Sequence, residues 1–80
     1  MDKIVFGESI SKAVQHVVGR AWQAHTPEAM LDAAKKLQGM STLIVFQTDD
    51  VRVYSDVLVR LNNERTRCEQ AADMIARGVL

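Results

Sequence analysis

Apolar residues recur three and four positions apart over most of the chain, the period of helices buried along one side. The first such stretch opens at Ser9, a good N-cap, and carries Ile10, Ala13, Val14, Val17, Val18 and Ala21 at helical spacing before fading near Ala24 and His25. Ahead of it, residues 2–7 are β-prone and closed by Gly7, and read as a short extended arm. The second helix has the clearest start. Thr26 is an N-cap, Pro27 suits the first helical position and Glu28 complements the helix dipole. Met30, Ala33, Ala34 and Leu37 then continue on one face.

Gly39 creates an ambiguity. It can end the helix and release residues 41–47 as a strand, or sit inside a helix that continues, at a cost of about 1 kcal/mol relative to alanine. The continuing helix is the favoured reading. Leu43, Val45 and Phe46 point to all sides of it, so the segment is expected to be buried in either case.

Thr48, Asp49 and Asp50 supply caps for a third helix, along which Val51, Tyr54, Leu58, Leu61, Arg65, Cys68, Ala72, Ile75 and Val79 alternate three and four apart. Unbroken, this seam covers roughly 40 Å. Its first half is apolar beyond the seam and is expected inside the core. Its second half is expected along the surface or on one partner.

The pattern predicts a mainly α single domain, residues 1–80, with three helices over about 9–24, 27–46 and 50–78 and an extended N-terminal arm. The alternative is α+β, with residues 3–6 and 42–46 paired in a small sheet. A chain this short buries only about 60–65% of its unfolded surface. One cysteine excludes an internal disulfide, and two histidines make a zinc site a poor fit. The remaining way to add stability is a partner, so a homodimer or a binding protein is expected. Met30, Leu37, Ile44, Leu58, Leu61, Arg65 and Ile75 form the core or dimer seam of this reading.

Charge changes the picture little. Ten basic residues balance ten acidic ones, which argues against a nucleic-acid coat or a membrane-surface binder. No apolar run is long enough to span a bilayer and no signal-peptide pattern is present, so a cytoplasmic location is expected. His16 and His25 stand alone, Cys68 lies on an apolar seam, and no nucleophile–base set, phosphate loop or carboxylate pair can be assembled. Catalysis, cofactors and metals are therefore not expected.

Arginines and aromatics carry what remains. Arg60 and Arg67 share a helix face, with Glu64 and Glu69 nearby, so salt-bridged surface residues are favoured over a nucleic-acid footprint. Arg65, on the seam, either sets register or reaches solvent along its stem. Trp22 is either an interface residue or a core residue closing helix 1 over helix 3, and Tyr54 poses the same question. Trp22, Tyr54, Arg60 and Arg67 are the candidate contacts, because aromatics and arginines dominate interface energetics.

Through Ala33-Ala34, Leu37 and the string Leu43-Ile44-Val45-Phe46-Gln47, the chain resembles the small helical anti-CRISPR proteins of Pseudomonas phages, and most of all an inhibitor of the type I-E system. There a similar string lies in a helix, followed by an acidic residue and another helix. The likeness spans residues 33–47, while the ends differ and this chain is shorter. It implies a helical dimer in the host cytoplasm that occupies a surface of a CRISPR-Cas component or another host protein. It carries over no contact residue. The functional expectation is a non-catalytic, protein-binding inhibitor. A small nucleic-acid-associated regulator using the arginines of the last helix, or a plain oligomerisation module, are the alternatives.

Overall fold

In a computed structural model, which describes the backbone of residues 3–80 and the side chains from Gly7 onward, the chain is an up-down-up arrangement of three helices. They are α1 (Lys3–Ala24), α2 (Pro27–Gln47) and α3 (Ser55–Ala76), with a 3₁₀ turn at Val51–Tyr54 leading into α3. No strand occurs among the described residues, which removes the α+β alternative. The expected arm is helical from Lys3 on, and Met1 and Asp2 lie outside the described residues. Once Ser9 and its successors are helical, each further residue adds a hydrogen bond at little cost, and this outweighs local β-propensity.

The helix ends follow from their capping residues. His25 adopts a left-handed conformation (φ 52°) and donates its backbone N–H to the Ala21 carbonyl at 3.0 Å, closing α1 with a single five-to-one bond. The Thr26 hydroxyl then accepts from the Ala29 N–H at 3.1 Å and starts α2. Gly39 does not interrupt α2. The hydroxyls of Ser41 and Thr42 instead donate back to the Leu37 and Gln38 carbonyls, at 3.3 and 3.0 Å.

The third helix is not continuous from residue 50. The Asp50 carboxylate accepts from the Arg52 N–H at 3.1 Å, and the Val53 N–H reaches the Asp50 carbonyl at 3.2 Å, which tightens this stretch into a 3₁₀ turn. Gly78, at φ 76°, ends α3. Its N–H donates to Ile75 and that of Val79 to Met74, the paired bonds of a Schellman motif.

The bundle is slender, 43 × 17 × 15 Å. Its core contains Val14, Met30, Leu37, Ile44, Leu61, Cys68 and five alanines, Ala21, Ala33, Ala34, Ala71 and Ala72. Small side chains let the helices approach closely but leave little apolar volume to bury. α2 packs chiefly on α3, and α1 covers the pair less extensively.

Two burial expectations are overturned. Leu43, Val45 and Phe46 are 59%, 47% and 83% exposed. The buried stripe of α2 runs through Met30, Ala33, Ala34, Leu37 and Ile44, and helical periodicity turns the other three away from it. In the last segment the halves do not divide as expected, although Leu61 in the first half is fully buried. Val51, Val53 and Val59 are exposed, while the later half buries Cys68, Ala71 and Ala72. The reason is the antiparallel pairing: the end of α3 lies on the start of α2, where Met30, Ala33 and Ala34 form the deepest surface.

Candidate protein-docking face

Arg60 on α3 donates from Nη1 to the Ser11 hydroxyl on α1 at 2.8 Å. This bond marks the level at which α1 and α3 lie side by side, and the two run the same way because two short connections reverse the chain twice. At 1.5 Å per residue, Arg67 lies roughly 10 Å further along α3 and Trp22 roughly 16 Å further along α1. Ser11, Val18 and Trp22 share one stripe of α1, and Arg60, Arg67 and Met74 share one stripe of α3. Both stripes border the α1–α3 groove. Trp22 is 42% exposed and Met74 43% exposed, so two large apolar side chains stand open near one end of it.

Three of the four contacts expected from sequence thus fall on one face. Trp22 lies beside His25, the two ring centroids 6.1 Å apart and the planes tilted by 41°. Arg67 is held by half-buried Glu64, with Nη1 3.6 Å from the carboxylate. Tyr54 is apart from them. It is half-buried where the 3₁₀ turn meets α3, at the opposite end of the bundle, and packs against the core.

Of the core or dimer seam, Met30, Leu37, Ile44 and Leu61 are buried within the chain itself, and Leu58 and Ile75 are partly buried against them. Arg65 is half-buried and donates to Glu69 at 2.9 Å and to Asn62 at 2.7 Å. Its charge is balanced on its own helix. Met74 was not singled out by sequence, because it lies off the seam of α3; only the position of α1 gives it a role.

The arginines do not form an uninterrupted basic strip. Arg52, Arg65, Arg67 and Arg77 each face a carboxylate, of Asp50, Glu69, Glu64 and Asp73 respectively. Paired in this way they offer hydrogen-bond donors and flat guanidinium planes rather than a field that follows a phosphate backbone.

Other chemistry is sparse. Cys68 is buried beside Leu61 and Ala72, and burial, aided by Glu64 and Glu69, pushes its thiol pKa up, away from the reactive thiolate. His16 and Arg20 on α1 and Asp32 and Lys36 on α2 line a shallow groove of about 410 Å³, where Asp32 and Lys36 already pair at 3.0 Å. Among the described residues no cluster of three or more His, Cys, Asp or Glu is placed to hold a metal ion, and no helix is long and apolar enough to cross a membrane. No known protein family, curated protein or solved structure matches the chain.

Proposed function

We propose that this chain is a non-catalytic inhibitor that acts by covering a surface of a protein partner with its α1–α3 face. The observation that carries the reading is the alignment of Trp22, Arg60, Arg67 and Met74 along one groove, with both apolar side chains open to solvent. An exposed tryptophan in line with two arginines is the composition of an interface hot spot, and the surrounding polar residues Gln15, Asn63 and Gln70 suit its rim. Inhibition is steric: a rod of packed helices loses little conformational entropy on docking and blocks whatever the target presents beneath it. The resemblance of residues 33–47 to phage inhibitors supports a protein of a bacterial host as the target, with CRISPR-Cas components the first candidates to test.

The test has two arms. Tagged protein is used to capture partners from nuclease-treated lysate of a host with a type I-E system, and the same host expressing the chain is challenged with a phage its spacers target. One stoichiometric protein captured, together with restored plaquing, is the expected result. Trp22→Ala and Arg60→Glu, with helix content unchanged, remove both effects. Capture only without nuclease, or plaquing unaffected by the chain, overturns the reading.

A further inference from the structure

The face of α2 turned away from the core is divided in two. Its first half bears Glu28, Asp32, Lys35 and Lys36, whereas residues 37–48 include no charged side chain at all. Gly39, Thr42, Leu43 and Phe46 lie at i, i+3, i+4 and i+7 along that face, all exposed, with Val45 at its edge. A shallow groove of about 320 Å³, lined by Gln38, Ser41, Thr42, Val45 and Phe46, runs beside them.

Gly39 has no role inside the chain. It sits mid-helix in ordinary helical conformation, and a Cβ built there would meet nothing within 4 Å. A glycine in an exposed helix interior costs about 1 kcal/mol, and here it opens a notch in an uncharged strip that carries Leu43 and Phe46.

We infer that this strip is a self-association seam on which a second copy of the chain lies antiparallel across α2. With the twofold axis near Thr42 and Leu43, Phe46 of each copy comes over Gly39 of the other, where no side chain obstructs it. The same register brings Lys35 and Lys36 of one copy beside Asp49 and Asp50 of its partner. Lys35 and Asp49 make no ion pair within the chain among the described residues, and the zero net charge imposes no repulsion between copies. Self-complementarity of this kind is what a closed twofold interface requires. Phe46 contributes on the order of 150–200 Å². With its neighbours the strip offers on the order of 500 Å² per copy, the low end of specific interfaces. The seam faces away from the α1–α3 groove and uses none of its residues.

Sedimentation velocity of the full chain from about 1 to about 300 μM tests it. The expected result is a shift from monomer to dimer across that range. Phe46→Lys and Gly39→Leu each keep the helical circular dichroism, because neither site is packed inside the chain, and each weakens the dimer about a hundredfold. Lys35→Glu weakens it several-fold and added Asp49→Lys restores it, while Trp22→Ala leaves it unchanged. A monomer throughout, or a dimer that survives Phe46→Lys or Gly39→Leu, overturns the seam.

Discussion

At the scale of single residues, two positions show chemistry that type alone does not reveal. His25 holds a left-handed backbone where glycine is the usual choice. His25→Gly relieves that strain, partly offset by the extra freedom of the unfolded chain, and should stabilise the fold by about 0.5–1 kcal/mol. In thermal denaturation this is a rise of a few degrees. Sequence marked His25 as the end of a helix but gave no sign that it, rather than a glycine, makes the turn.

Cys68 is the second. Its buried thiol should react with a thiol reagent only in denaturant, while native protein near neutral pH stays unmodified over the same period. Because its folded pKa is raised, the unfolded state loses its proton first as pH increases. The stabilisation from the neutral buried thiol is complete below the ordinary thiol range, near pH 8.5, and is lost as pH climbs through the folded value. Chemical denaturation at rising pH measures this, and Cys68→Ala flattens the dependence. Sequence placed Cys68 on the apolar seam, where a cysteine behaves as a small hydrophobe, but left its exposure open; the packing of α3 on α2 buries it.

At the scale of elements, spacing and caps located all three helices; the start of α2 was legible because Thr26 and Pro27 are strong punctuation, while its end depended on reading Gly39 as an interior residue. What spacing could not weigh was the competition at either end of the chain's first and last segments. α1 extends six residues before Ser9 by propagation, and α3 starts late because Asp50 takes the Arg52 N–H for a tighter turn. The interior position of Gly39 gives a direct check on α2. Gly39→Ala should raise stability by about 1 kcal/mol with helix content preserved or slightly increased. Measured on the monomer at low micromolar concentration or below, a loss of stability at that position would mean the backbone there is not helical.

At the scale of the whole molecule, the period of the pattern indicated which side of each helix is buried, but not which neighbour covers it. Leu43, Val45 and Phe46 looked buried because all are apolar, yet a bundle only 17 × 15 Å in section has room for one stripe per helix. The proposed docking face was legible in its residue types and not in its membership. Sequence offered Trp22, Tyr54, Arg60 and Arg67 as candidates, and only the placement of α1 beside α3 sets Tyr54 apart and adds Met74 to the same face. The slender core also makes the fold sensitive to losses. Leu61 is fully buried in the second turn of α3, and Leu61→Ala should cost about 2–5 kcal/mol, a large part of the total stability of a domain this size. Urea titration followed by circular dichroism should show the midpoint falling sharply.

An odd number of helices leaves the start of α1 and the end of α3 at opposite poles of a rod 43 Å long. Each pole adjoins a different surface: the close of α3 adjoins Trp22, and the opening of α1 lies at the pole of Phe46. Anything fused to the molecule therefore shades one surface and spares the other. A bulky fusion following Leu80 crowds the tryptophan end and leaves the α2 strip clear, whereas one preceding α1 does the reverse. The choice of attachment point thus separates docking from self-association without altering a single residue.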